Sequence, residues 1–362
     1  IGVLIPQSTA YPLMGKDFIK GLKLGLGDTP SQIIVESIGF GADPKQLINS
    51  IQKLSLQEDV ALTTGLFGHY GFTELAEFVS KNEEVLLAAN LGASQPVETP
   101  TGVFQNSLGL YDSLKDLTTH FSENNVENVT TSTCYYESGY GFFDALEKGM
   151  SQNENMQFGG HFITPLHPRE DEATIMDETI TSTSPDAIVA FHNSLYAKEH
   201  ATYLKENQLH KKYPIYCLPF SCEDELVEEF NDVFKDIHVV SSWFPELDNP
   251  NNNKFTSAYE AKHHKSPDFF ALLGYENGLI IKSALNNLKG SINDKIQNIN
   301  IDGPRGPLCF NPKARQTQFD NYLWEIDEKT HSKKTPSKLT PHLSQGQNTE
   351  SNIGWYNAYL CH

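Results

Sequence analysis

Basic residues are scarce in this chain: 27 Lys and Arg stand against 46 Asp and Glu, a formal net charge of −19 over 362 residues. Such a balance lacks the clustered cations that nucleic acid or an anionic membrane face requires, and it serves solubility before any steering of cationic ligands. Long apolar runs are also missing, and none approaches the ~20 residues that span a bilayer. Cysteine is sparse. Cys134, Cys217, Cys222, Cys309 and Cys361 are too few and too scattered for a disulfide framework. Cys217 and Cys222, with Pro219 between them, pair only if that loop doubles back. Cys309 with Cys361 is the other pairing left open, against the plainer reading of buried apolar thiols.

Catalytic signatures are missing as well. There is no G-x-S-x-G elbow, P-loop or G-x-G-x-x-G, since GLFGHYG has the wrong spacing. No H-x-x-x-H or C-x-x-C ligand set occurs, and the adjacent His263 and His264 cannot easily share a metal. Acidic pairs such as Glu228–Glu229 fit a solvated helix face. The chain therefore reads as a binder and not an enzyme, with no cofactor and no metal.

What is present is alternation. Apolar runs of strand length (Ile1–Ile5, Ile33–Ile38, Val60–Thr64, Val85–Ala89, Val129–Tyr135, Gln157–Ile163, Ala187–Phe191, Ile215–Pro219, Val239–Trp243) are each followed by a polar turn. Helical patterns then follow, over Pro44–Ser55 behind the N-cap Asp43, Phe72–Val79, Ser113–Ser122, Glu172–Ser182, Tyr196–Asn207, Glu223–Phe234, Phe255–His263 and Ala271–Leu288. Alternation of this kind predicts parallel sheets covered by helices. So many strands exceed one sheet, and the length suits two domains of ~150 residues. The polar stretch Ser122–Asn128 is a candidate boundary. Pro307–Phe310 and Tyr322–Ile326 read as two short strands with a turn between them. The Lys-, Ser- and Pro-rich tail Asp327–Glu350 reads as exposed loop, with Trp355–Leu360 docking back on the body. A chain that opens on a strand with no initiator Met reads as the product of a removed targeting segment.

Several strings resemble one family. IGVLIPQSTAYPLMGKDFIKGLKLGL is similar to its opening strand, ligand loop and glycine-marked helix. LTTGLFGHYGFTELAEFVSKNEEVLLAANLGASQP resembles its second ligand segment, and YYESGYGFFDALEKGM the loop that opens the second lobe. PDFFALLGYENGLIIKSAL and IDGPRGPLCFNPKARQ resemble its late helix and strand. The family is that of the type I periplasmic binding fold, in particular the leucine/isoleucine/valine-binding receptors that deliver solutes to ABC transporters. The resemblance covers roughly Ile1 to Ile326. It implies an α/β chain of two doubly wound parallel-sheet lobes joined by a three-strand hinge, with a ligand cleft between them. Lobe one would take residues 1–119 and 248–318, and lobe two 120–247 and 319–362. A monomeric extracytoplasmic receptor, partnered by an ABC permease, is the function implied. A ligand-sensing domain of a signalling system is the alternative.

The resemblance also places candidate ligand contacts in the strand-end turns. These are Ser8 and Tyr11 after the first strand, and Phe67, His69 and Tyr70 in the loop Gly65–Gly71. Asn90, Gly92 and Ser94 follow, with Ser94 the best single polar contact. Tyr140 matches the second-lobe aromatic, and His192 and Asn193 follow the strand Ala187–Phe191. One position departs from the pattern. Where amino-acid-binding relatives carry a Glu or Asp for the ligand ammonium, YCLPFSCED puts Phe220. A buried ammonium without a carboxylate partner costs several kcal/mol, so a plain aliphatic amino acid is disfavoured. Glu223 or Asp224 would fill the role only if the loop were displaced. Phe220, Phe67, Tyr140, Trp243 and Phe270 instead suggest an aromatic-lined pocket for an apolar or aromatic acid or an amide-like compound. Trp243 equally suits a core position.

Overall fold

The alternation folds as read. The computed structural model describes residues 1–41, 43–66, 72–96, 98–135, 141–287, 289–334 and 337–342. In chain order the elements are β1 Gly2–Ile5, α1 Met14–Leu26, β2 Ile34–Ser37, α2 Pro44–Glu58, β3 Thr63–Leu66, α3 Phe72–Lys81, β4 Leu86–Asn90 and β5 Val103–Ser107. Next come α4 Leu110–Glu123, β6 Asn128–Cys134, α5 Gly141–Met150, β7 Gln157–Thr164, α6 Glu172–Thr183, β8 Ala187–Phe191, α7 Ser194–Asn207 and α8 Leu209–Lys212. Then follow β9 Ile215–Cys217, a 3-10 turn Pro219–Ser221, α9 Asp224–Glu229, α10 Asn231–Phe234 and β10 Ile237–Ser241. The chain ends with α11 Pro250–His263, α12 Phe269–Asn286, α13 Ile292–Gln297, β11 Ile301–Gly303, β12 Gly306–Leu308, β13 Tyr322–Ile326 and β14 Lys333–Lys334.

Two compact units result. The first holds Ile1–Gly109 and Leu247–Phe319, and the second holds Leu110–Glu246 and the described residues from Asp320 on. The first unit's sheet runs β2-β1-β3-β4-β5, all parallel. The second unit's runs β14-β13-β10-β9-β8-β6-β7, parallel from β10 to β7, with β13 and β14 antiparallel at one edge. Each sheet has a point where strand order reverses, between β1 and β3 in the first and between β6 and β8 in the second. In open α/β sheets ligands bind outside the carboxyl ends of strands at such a point.

On one face of the first sheet, Leu4, Leu86, Ala88 and Val103 pack with Leu47, Ile51 and Leu54 of α2 and Leu75 and Val79 of α3. The other face takes α1 and α12, which touch backbone to backbone. A Cβ on Gly21 would stand 2.0 Å from the Ala271 carbonyl oxygen, and one on Gly274 2.0 Å from that of Phe18. The spacing Gly21-x3-Gly25 against Gly274-x3-Gly278 is what lets these helices approach so closely. Asp43 caps α2 as expected, accepting from the Lys45 N–H at 2.9 Å, a device worth about 1 kcal/mol.

Five expectations need correction. Pro307–Phe310 and Tyr322–Ile326 do not pair: β12 forms a hairpin with β11 in the first unit, while β13 pairs with β10 in the second. Residues 223–234 form two short helices, broken at Phe230. Val103–Ser107, whose strand was not anticipated, closes the first sheet. The tail is not all exposed loop, since Lys333 is buried in β14. The first passage between units falls at Gly109 instead of 119, ahead of the stretch Ser122–Asn128. A boundary at 119 would cut α4, a continuous helix that Tyr111 ties to α5 through its hydroxyl and Asp144 Oδ2 at 2.6 Å. Trp355–Leu360 and Cys361 lie outside the described residues.

Candidate functional site

In the first unit β1 runs into a turn where the Tyr11 N–H donates to the Ser8 hydroxyl at 2.9 Å, a local bond that Ser makes readily in turns. The Tyr11 ring meets Phe270 edge to face, with centroids 5.9 Å apart. Phe270 sits in the first turn of α12, which Asp268 caps by accepting from the Ala271 N–H at 2.8 Å. Burial pushes the Asp268 carboxyl above its usual range. Ser8 lines an open depression of about 460 Å³ with Ile5, Pro6, Gln7 and Phe40.

β4 ends at Asn90, whose side chain folds back on the turn. Its Oδ1 accepts from the Gly92 N–H at 2.9 Å and its Nδ2 donates to Gln105 at 3.0 Å. Gly92 has φ of 70°, and a Cβ there would collide with the Ser107 hydroxyl at 2.2 Å and the Gly109 nitrogen at 2.6 Å. Only glycine fits this turn. It carries Ser94 to a cavity of about 260 Å³ shared with Phe72, Thr73, Gln105, Glu77 and Glu98. Phe72, Thr73, Ala76 and Glu77 lie on one flank of α3, so the cavity lies between that helix face and the turn that carries Ser94. The structure thus brings Tyr11 and Phe270 together, and Asn90, Gly92 and Ser94 together. Ser8 and Ser94 line separate cavities among the described residues.

In the second unit the switch point is bridged by side chains. Asn193, just after β8, donates to the Cys134 sulfur at the end of β6 at 3.8 Å. His192 bonds Ser132 through Nε2 at 3.1 Å and stacks on His200 of α7, with centroids 4.0 Å apart and planes 12° from parallel. Burial drives all three nearby histidines toward the neutral form: His192 well down, His161 to about 4 and His200 to about 3. They act as neutral donors and acceptors at any physiological pH. Phe220 occupies the 3-10 turn after β9 with its side chain turned inward, and its neighbour Ser221 bonds the His192 backbone on both sides. Trp243 is wholly buried in this unit, in keeping with the core position the sequence left open. Asp224 pairs with Lys333 and is therefore not held ready for a ligand ammonium. Phe67, His69, Tyr70 and Tyr140 lie outside the described residues.

Sequence reasoning passed over the exposed apolar side chains at the strand ends. Tyr135, next after β6, is 57% exposed, and Leu195, in the first turn of α7, is 64% exposed. Leu166 after β7, with Leu13 and Phe40 after β1 and β2 in the first unit, is also exposed. Apolar residues in turns where polar ones are the rule were the available signal. Among the described residues no cluster of metal-ligating side chains occurs, and no helix is long and apolar enough to cross a membrane.

A family model described as periplasmic binding protein matches residues 1–333. No curated protein matches the chain. Among solved structures, an ABC transporter substrate-binding protein from Sphaerobacter thermophilus is 18% identical over 94% of this chain and 97% of its own, with a TM-score of 0.83. An ABC-transporter solute-binding protein from R. palustris, in complex with benzoate, is 17% identical over 95% and 97%, with a TM-score of 0.77. A leucine-binding protein from Thermotoga maritima is 14% identical over 94% and 98%, with a TM-score of 0.71.

Proposed function

This chain belongs to the periplasmic binding protein family, a family of solute receptors and not of enzymes, and from that premise we propose that it captures a small aromatic or apolar monocarboxylic acid outside the cytoplasm and delivers it to an ABC permease. The observation that carries the ligand class is the first unit's strand-end chemistry. An aromatic pair, Tyr11 and Phe270, accompanies a cavity beside α3 that Ser94 lines with Thr73, Thr99 and Gln105. The hydroxyls and the Gln105 amide suit one carboxylate, and the rings suit an apolar body. Glu77 and Glu98 also line this cavity and add a like-charge cost that grows with each carboxylate a ligand carries, so a monocarboxylic acid is favoured over a diacid. Phe220, in place of an acidic residue, and the engagement of Asp224 with Lys333 argue against an α-ammonium group. The benzoate carried by the R. palustris neighbour has this chemistry.

In this reading ligand binding shifts a conformational equilibrium of the chain. A thermal-shift panel of benzoate, 4-hydroxybenzoate and leucine tests it, because a ligand that binds only the native state raises the melting temperature. Benzoates should raise it more than leucine. Ser94→Ala should weaken benzoate binding by roughly tenfold or more, the value of one hydrogen bond to a charged group. Micromolar leucine binding with no response to benzoates would overturn the ligand class.

A further inference from the structure

β9 ends at Cys217, and the 3-10 turn that follows doubles the chain back. The Ser221 N–H donates to the Leu218 carbonyl at 3.0 Å and the Cys222 N–H to the Pro219 carbonyl at 3.1 Å. The reversal brings the Cys222 thiol against Cys217, and the hydrogen bond between them, with burial, holds the Cys217 thiol well above its usual range. Both side chains are sealed from solvent. The frame around the pair is fixed at each end. Cys217 lies in a strand flanked by β8 and β10. The Leu218 N–H bonds the Ala190 carbonyl at 3.1 Å. The Ser221 hydroxyl accepts from the His192 N–H and donates to the His192 carbonyl, both at 2.9 Å. The backbone that carries the two cysteines is therefore held by the sheet and not left as a loose loop. The other described cysteines stand apart, with Cys134 engaged by Asn193 and Cys309 exposed in the first unit.

We propose that Cys217 and Cys222 form a disulfide as the chain folds in an oxidising compartment, closing a small ring around Phe220. The oxidant is a small-molecule disulfide such as oxidised glutathione. One protein thiolate attacks it, forming a mixed disulfide and releasing one glutathione thiolate. The second protein thiolate then attacks the mixed disulfide, so the intrachain S–S bond forms and the second glutathione leaves. Two electrons pass from the cysteines to glutathione, and the two thiol protons end on the departing thiolates. Burial of both sulfurs in the native chain confines the exchange to the folding stage and protects the product from reduction afterwards.

The full chain is unfolded with reductant, refolded in a glutathione redox buffer, alkylated without reduction and digested with trypsin. The segment Tyr213–Lys235 contains both cysteines and no internal Lys or Arg, so the bond appears as an unalkylated peptide two hydrogens lighter than its reduced form. The oxidised chain should melt several degrees above the reduced one. A Cys217→Ser/Cys222→Ser double variant should show no such dependence on reductant. A doubly alkylated peptide, or one cross-linked to the peptide bearing Cys134, Cys309 or Cys361, would overturn the assignment. So would a redox-dependent melting shift that survives in the double variant. If the variant does not fold, the digest of the parent chain still decides.

Discussion

In the first unit a buried ion pair anchors a polar network, whereas in the second a cluster of buried histidines stays neutral. Arg305 of the first unit places Nε 2.9 Å and Nη2 2.6 Å from the two oxygens of Glu276 and donates from Nη1 to the Ser107 carbonyl at 2.9 Å. Asn106 donates to Glu276 at 3.1 Å and to Asn277 at 3.0 Å, while Thr317 donates to Asn106 at 3.2 Å. The Arg305 guanidinium also lies 3.7 Å over the Phe319 ring. The second unit instead keeps His161, His192 and His200 neutral, and leaves the buried hydroxyls of Thr133 and Thr164 without partners among the described residues. Two sheets of the same layout thus tolerate buried polarity in two ways. Paired charge makes one unit depend on every partner being present. Neutral bases make the other depend on pH.

The largest effect that tests this contrast is removal of one ion-pair partner. Glu276→Ala strands a buried guanidinium and should cost about 3–5 kcal/mol, read as the denaturant midpoint of the full chain. A loss under about 1 kcal/mol would mean that the network does not hold the first unit together. Helix packing should separate the units next. Gly274→Ala drives a methyl into the Phe18 carbonyl, which is backbone, and should cost about 1–3 kcal/mol. Gly149→Ala in the second unit meets only the Thr118 side chain and should cost less. Equal losses would remove the distinction.

Acid should act mainly on the second unit. Burial lowers the folded pKa of His200 to about 3 from the usual 6.5. The unfolded chain therefore binds the extra proton between those values. Stability from this group is complete above about pH 6.5 and falls by about 1.4 kcal/mol per pH unit below it, until the folded pKa is reached. His192 and His161 shift the same way. Asp268 of the first unit and Asp112 of the second, the latter pushed up to about 7, are raised by burial, so their contributions run oppositely and are lost as pH climbs, Asp112 offsetting one of the three histidines of its unit. Calorimetry from pH 7 to 5 should show the second unit weakening first, and His200→Phe should shallow that slope by one proton. An unchanged slope in the variant would contradict this account. The smallest effect concerns two threonines. Thr317→Val breaks bonds to Asn106 and to the Ser107 N–H and should cost about 1–2 kcal/mol, whereas Thr164→Val removes a hydroxyl with no partner among the described residues and should be neutral or stabilising. Chemical denaturation of both variants measures the difference.

Much of this was legible before any coordinates. Strand and helix existence follows from apolar runs and their flanking turns, because a parallel strand buried on both faces must be apolar throughout. Asp43 and the helix it caps are an example. Val103–Ser107 escaped notice because its sequence, VFQNS, is polar, and its polar side chains are buried by pairing with Asn90, Thr99 and Glu276. β12 and β13 misled because two neighbouring short strands suggest a hairpin, yet the chain changes unit between them. At the candidate site, Gly92 and Ser94 were readable as a glycine turn with a hydroxyl. The approach of Tyr11 to Phe270, separated by most of the chain, was not.

The string of residues determined the class of the molecule: strand–helix alternation in a strongly acidic chain, glycines where helices cross, and turns of Ser, Asn and Gly at the strand ends. These depend on composition and near neighbours. Tertiary structure alone decided which strand pairs with which, that Arg305 meets Glu276, that His192 stacks on His200, and that Cys217 faces Cys222. Those are contacts whose free energy exists only once the sheets have excluded water and brought distant segments together.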